Sequence, residues 1–170
     1  MTTLTQAPTG NSEAIAAWDG PLYDRFVQFR PVVTTGLGAL SALALELYPP
    51  RPGQRVLDIG CGFGDTTQRI AELVGPDGEA VGVDAAARFI GTARREAVDA
   101  GVGNARFDTV DVQEHVPGGP YDLAFSRFGT MFFANPVVAL RNVRHALNPG
   151  GRVVMLVWRR REDNEWIYRA

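Results

Sequence analysis

Val56-Leu57-Asp58-Ile59-Gly60-Cys61-Gly62-Phe63-Gly64 sets one carboxylate beside three alternating glycines. Glycines at that spacing make a tight turn in which backbone N–H groups are free and no side chain blocks a ligand. Val56 to Ile59 reads as a short buried strand, and Asp65, Thr66 and Thr67 can cap a helix through Ile70, Ala71, Leu73 and Val74. A strand, a glycine turn and a helix N-terminus together form a ligand cradle. Asp58 selects the charge of that ligand, because a carboxylate at the strand end repels a dianionic group and attracts a cation. A dinucleotide fingerprint would have a third glycine three residues after Gly62, where this chain has Asp65. The turn reads as a cradle for a positively charged ligand; the plainer alternative is a turn that only packs helix on strand.

Other candidates stand at matching places further along. Asp84 ends the run Ala80-Val81-Gly82-Val83-Asp84, 20 residues after Gly64. A carboxylate there can accept hydrogen bonds from both hydroxyls of a ribose, or cap the next helix. Asp111 follows a third strand in Thr109-Val110-Asp111-Val112-Gln113, and Ser126-Arg127-Phe128-Gly129 follows a fourth.

At these residues the chain resembles the class I S-adenosylmethionine-dependent methyltransferases. Their first-strand motif, hydrophobic-hydrophobic-Asp/Glu-x-Gly-x-Gly-x-Gly, is matched from Val56 to Gly64. The resemblance implies S-adenosylmethionine as cofactor, whose ammonium and sulfonium supply the expected positive charge. It implies cofactor contacts from Asp58, Gly60, Cys61, Gly62 and Gly64 in the first turn, and from Asp84 and Ala85 at the ribose. It adds Asp111 and Val112 at the adenine, the Ser126 backbone at the methionine part, and Arg127 and Phe128 near the transferred methyl. Cys61 itself reads as a small residue in a tight turn, not a nucleophile. No catalytic residue and no metal ligand is assigned. In methyltransferases resembling those of ubiquinone and menaquinone biosynthesis, N-terminal helices close over the cofactor. By that resemblance Trp18 or Tyr23 would face the sulfonium, unless they serve only helix packing.

The elements needed to position these residues are legible as alternation. Ser12 can cap a short helix with Ile15 and Ala16, and Pro21 can open another through Leu22, Phe26 and Phe29. Arg30-Pro31 reads as its end. Val33, Leu37, Leu40, Ala44 and Leu47 follow at helical spacing. After the first strand come a second, Ala80 to Asp84; a helix with Phe89, Ile90, Ala93, Ala97 and Val98; a third strand, Ala105 to Val110; and a fourth, Tyr121 to Ser126. Asn135 can cap, and Pro136 begin, a helix through Leu147, and Arg152 to Trp158 reads as a fifth strand. This alternation predicts an α/β fold, a doubly wound and mostly parallel sheet with helices on both faces. The resemblance supplies the strand order 3-2-1-4-5. The expected organisation is a disordered tail over 1–11, a helical cap over 12–50, a Rossmann-like cofactor domain over 51–158 and a terminal segment over 159–170.

Composition narrows the function classes. The net charge of −2 over 170 residues draws the chain neither to nucleic acid nor to anionic lipid. No apolar run approaches a membrane span, and one cysteine cannot make an internal disulfide, which fits a reducing cytoplasm. His145 suits the last turn of its helix, whereas His115, four residues after Asp111, is a candidate general base. Two unclustered histidines argue against a metal site.

The expected reaction is transfer of a methyl group to an O, N or C nucleophile of a small molecule. A non-catalytic cofactor-binding module and a nicotinamide oxidoreductase remain as other classes. The family fold normally has seven strands, and nothing here matches the last two. The apolar fifth strand would then lie at a sheet edge, which predicts either a covering chain, most simply in a homodimer, or a shortened form of a longer enzyme.

Overall fold

The computed structural model describes residues 11–164. The expectations for the tail before Asn11 and for cover of the sheet edge by Glu165-Trp166-Ile167-Tyr168 lie outside the described residues.

Five strands form one parallel sheet in the order β3-β2-β1-β4-β5. They are β1 (Arg55–Ile59), β2 (Glu79–Asp84), β3 (Ala105–Thr109), β4 (Tyr121–Arg127) and β5 (Leu147–Leu156). Before them come α1 (Ser12–Ala17), a kinked segment Trp18–Leu22, α2 (Tyr23–Gln28) and α3 (Arg30–Leu47). Between them lie α4 (Asp65–Val74), α5 (Ala87–Asp99) and α6 (Pro136–His145). This is the doubly wound α/β architecture that the alternation predicts.

The central strands are apolar on both faces because both are covered. On one face Val56, Ala80, Leu123 and Phe125 pack with Leu45 of α3 and Ile70, Ala71 and Val74 of α4. On the other, Leu57, Val81, Val83 and Ala124 pack with Ala139 and Val143 of α6. Phe107 of β3 closes against Ile90, Ala93 and Ala97 of α5.

Three local expectations change. The chain does not break at Arg30-Pro31: α3 begins at Arg30, and the break falls one residue earlier at Phe29. Proline in the first turn of a helix loses no hydrogen bond, so it starts this helix instead of ending the last. No side chain caps α4, whose N-cap is Gly64 at φ 79°; the side chains of Asp65 and Thr67 are engaged elsewhere. The fifth strand begins at Leu147, opposite Tyr121, and ends at Leu156. An irregularity lies between this first pair and the next, Leu123 with Arg152, so the Pro149-Gly150 turn lies within the strand's span. Trp158 lies beyond the strand.

Among the described residues no strand pairs with the outer edge of β5. Val153, Met155 and Val157 are 42%, 44% and 54% exposed, an apolar row of the kind that edge strands usually avoid.

Candidate active site

The strand order reverses between β1 and β4, and a crevice opens there at the carboxyl ends of the strands, as it must in an open parallel sheet. The turn after β1 is held by close backbone approach. Gly60 has φ 68°, and a Cβ on it would lie 2.8 Å from the Gly129 Cα. Gly64 has φ 79°, and a Cβ there would meet the Phe107 ring at 2.6 Å. Glycine is required at both positions by φ and by space.

The turn's amides are not free, contrary to the sequence reading. Gly60 and Cys61 donate to the Val83 carbonyl at 2.8 and 3.1 Å, and Gly64 donates to the Cys61 carbonyl at 2.9 Å. Gly62 donates to Asp84 Oδ2 at 3.1 Å. With these four N–H groups spent, the turn offers a ligand chiefly a close backbone surface.

Asp84 ends β2 in the crevice. Its Oδ1 accepts from the Ala86 amide at 2.9 Å, so backbone amides hold both oxygens at the mouth of the turn. Burial raises its pKa, and the amides of Ala86 and Gly62 oppose that shift. Asp111 forms a turn of its own, its Oδ1 accepting from the Gln113 amide at 2.9 Å. Its Oδ2 is buried with no partner. A buried acceptor left open costs free energy until something donates to it, which marks Asp111 as a group shaped for a donor.

Arg127 ends β4 on the same face as Leu123 and Phe125. Its guanidinium makes a two-point ion pair with Asp65, Nη1 to Oδ2 at 2.8 Å and Nη2 to Oδ1 at 3.0 Å. Nη1 also lies 3.5 Å from Ser41 Oγ on α3. Phe128 follows at φ 61°, an unusual conformation for a side chain of that size. Its ring stacks on Trp158, with centroids 4.2 Å apart and planes 11° from parallel.

The N-terminal helices roof the crevice. Trp18 packs edge-on against Phe26 at 5.2 Å and against Phe132 at 4.9 Å. Polar contacts hold the roof to α5: Tyr23 Oη lies 2.7 Å from Thr92 Oγ1, Arg88 Nη2 pairs with Asp24 at 2.7 Å, and Arg30 pairs with Glu96. Arg88 also lies over the Tyr23 ring at 4.0 Å.

The resulting cleft has a volume of about 240 Å³. Of the residues singled out in the sequence, Gly60, Cys61, Gly62, Asp84, Ala85, Asp111, Val112, Arg127 and Trp18 line it. Gly64 serves the turn from behind, and Ser126 is fully buried with its hydroxyl on the Ile59 carbonyl at 2.8 Å. Asp58 is sealed beneath the turn, its Oδ2 accepting from Thr67 Oγ1 at 2.6 Å. Tyr23 is turned to Thr92 and Arg88 and does not line the cleft. His115, the candidate base, does not line the cleft; it lines an adjoining groove with Arg55, Glu79 and Arg106, which shares Val83, Val110 and Asp111 with the cleft. Sequence reading missed Asp65, Phe26, Val33, Leu37, Phe132 and Trp158, which complete the walls. The helical spacing that exposes Val33 and Leu37 as one face was visible; the cleft as its destination was not.

A methyltransferase-domain family model matches residues 50–165. The chain belongs to the methyltransferase domain family. It is 37% identical to the ubiquinone/menaquinone biosynthesis C-methyltransferase of Ectopseudomonas mendocina over 128 residues, 74% of this chain and 50% of that one. A second relative, the enzyme of the same name from Pseudomonas aeruginosa, is 35% identical over 71% of this chain and 48% of its own. The chain thus spans about half the length of these relatives. A SAM-dependent methyltransferase from Aquifex aeolicus shares the fold at TM-score 0.66 and 19% identity, over 70% of this chain and 64% of that one. A methyltransferase from Geobacter sulfurreducens, solved in complex with S-adenosyl-L-homocysteine, aligns at TM-score 0.55 and 26% identity, over 70% and 46%. Among the described residues no helix is long and apolar enough to cross a membrane, and no group of three or more His, Cys, Asp or Glu could hold a metal ion.

Proposed function

We propose that this methyltransferase domain binds S-adenosylmethionine and transfers its methyl group to an O, N or C nucleophile of a small molecule. The observation that carries the cofactor is the buried, unpartnered Oδ2 of Asp111, a residue that lines the same cleft as the glycine turn. It suits the amino group of an adenine. Asp84, a carboxylate held in place by backbone amides at the end of β2, suits the hydroxyls of a ribose. Val112 and Ala85 flank these carboxylates and provide apolar contact for the rings. The turn engages four of its amides inside the protein and places Asp65 at the helix start, which disfavours a pyrophosphate and hence a nicotinamide dinucleotide.

When bound, S-adenosylmethionine supplies an activated methyl on a sulfonium leaving group. The protein's task is to orient two reactants in line and exclude water. Trp18, Phe26 and Phe132 close the cleft from above, and Phe128 stacked on Trp158 gives a flat apolar wall beside the end of β4. Residues 12–50 act as the cap and 51–158 as the cofactor domain. The single buried cysteine fits a cytoplasmic setting.

Calorimetric titration with S-adenosylhomocysteine and with NADH tests the reading. Binding of the first and not the second is expected; the reverse would overturn it. Turnover with a panel of small acceptors then separates an enzyme from a non-catalytic module.

A further inference from the structure

Asp111 lines the cleft with one carboxylate oxygen engaged and the other open. The engaged one, Oδ1, accepts from the Gln113 amide at 2.9 Å and lies 3.4 Å from Gln113 Nε2. The other end of that side chain reaches a different element. Gln113 Oε1 accepts from the Asn135 amide at 2.7 Å, and Asn135 is the N-cap of α6. The two ends of the carboxamide are not interchangeable, because a carboxylate needs a donor and an amide N–H needs an acceptor. Glutamine meets both demands in one orientation only.

Asn135 closes the segment that follows β4. Phe128, Phe132 and Phe133 of that segment line the cleft, and Phe132 also packs on Trp18 of the roof at 4.9 Å. From further along α6, Asn142 Nδ2 donates to the Val112 carbonyl at 2.9 Å and to the Gln113 carbonyl at 3.3 Å. The loop after β3 is thus fastened to α6 at two points, by the side chain of Gln113 at the helix start and by Asn142 about two turns on. Gln113 itself does not line the cleft, so whatever it does there it does through Asp111 and Asn135.

We propose that Gln113 is a positioning residue that joins the two ends of the cleft. Through its amide and Nε2 it fixes the Asp111 carboxylate so that Oδ2 stays open for a donor. Through Oε1 it fixes the start of α6, and with it the aromatic wall. This rests on the cofactor reading above. A donor arriving at Oδ2 removes the remaining freedom of the carboxylate, and that loss of motion passes through Gln113 to Asn135. The cofactor therefore orders the wall before an acceptor meets it.

Amide exchange followed by NMR on the full chain, with and without S-adenosylhomocysteine, tests this alongside calorimetry. In the wild-type protein the ligand should slow exchange at the Gln113 amide and, through its side chain, at the Asn135 and Val138 amides by about fivefold or more. Gln113→Leu removes both side-chain contacts. It should weaken the ligand about fivefold and leave exchange at Asn135 and Val138 unresponsive to it. Gln113→Glu keeps the acceptor for Asn135 and sets a second carboxylate against Asp111. It should weaken the ligand at least as much, while Asn135 and Val138 exchange as slowly as in the free wild-type protein. A glutamine that only held the fold would give both variants the same faster exchange and would leave the response to ligand in place. If neither variant folds, the wild-type exchange decides by itself: slowing at Asn135 supports the inference, and its absence overturns it. Wild-type affinity in both variants, or an unchanged response at Asn135 in Gln113→Leu, would also overturn it and leave the cofactor reading intact. Failure of the wild-type protein to bind S-adenosylhomocysteine would overturn the cofactor reading and this inference with it.

Discussion

Thr67 donates its hydroxyl to Asp58 Oδ2 over 2.6 Å and so ties the first turn of α4 to the end of β1. The bond lies in the core, where neither residue is more than 1% exposed. Asp58 is therefore the carboxylate that the fold encloses, while Asp84 and Asp111 are the ones it presents.

That enclosure makes stability depend on pH. Burial pushes the Asp58 pKa up to about 7, against the opposing hydrogen bond from Thr67 and the charge of Arg127. In the unfolded chain the same group ionises near ~4. Between those values the folded state keeps a proton that the unfolded state has released. The Asp58 contribution is therefore fully present below about 4 and is lost as pH rises toward 7. Asp58→Asn removes the charge, so it should flatten this slope and gain about 1–3 kcal/mol over the wild type at pH 8 relative to pH 4. Urea denaturation of both proteins at the two pH values measures the difference, and parallel slopes would refute it.

Asp84→Ala should weaken S-adenosylhomocysteine binding by about 2 kcal/mol or more, as for loss of a charged hydrogen-bond partner. Asp84→Asn, which can still accept at one oxygen, should lose less. Calorimetry on folded variants checks the order, and unchanged affinity in both would remove Asp84 from the site.

Gly60→Ala should cost about 1–3 kcal/mol of stability, from the left-handed φ and from the Cβ driven onto Gly129. Because the same contact holds the turn after β1 against the turn after β4, cofactor affinity should fall as well. Gly36→Ala, where nothing lies within 4 Å of the added Cβ, is the matched control. Thermal melting should leave the control at or above wild type.

The sequence showed what depends on neighbours in the chain. The β1 turn, the ends of β2 and β3 at Asp84 and Asp111, and the Asn135 cap, whose Oδ1 accepts from the Val138 amide at 3.1 Å, follow from local spacing. It did not show which polar groups meet across the sheet. Asp65 and Arg127 lie on different elements, and only the parity of Leu123, Phe125 and Arg127 along β4 hinted that the guanidinium faces α4. Likewise Thr67 looked like a cap until α4 packed over β1. Arg30-Pro31 misled because the same proline that ends one helix can begin another, and that choice is made by tertiary packing.

Trp18→Ala should loosen the roof by removing its contacts to Phe26, Phe89 and Phe132, each aromatic pair being worth about 0.5–1.5 kcal/mol. The expected signature is faster proteolysis within α1 and α2 with little change in the global urea midpoint. An equal shift in both measurements would show the roof to be part of the cooperative core.

The anchoring of α1 and α2 also sets an order of assembly. Neither helix contains a buried residue, and their partners Phe89, Thr92 and Phe132 belong to α5 and to the turn after β4. The roof cannot gain its contacts to α5 and to the turn after β4 until half the sheet exists, because those contacts are distant in sequence and must first meet the entropy of closing a long loop. It should be the last part to dock and the first to detach. In hydrogen-exchange terms it is expected to open as a separate low-stability unit above a parallel core. The free energy of that partial opening, and not of global unfolding, governs how often the cleft is exposed to solvent.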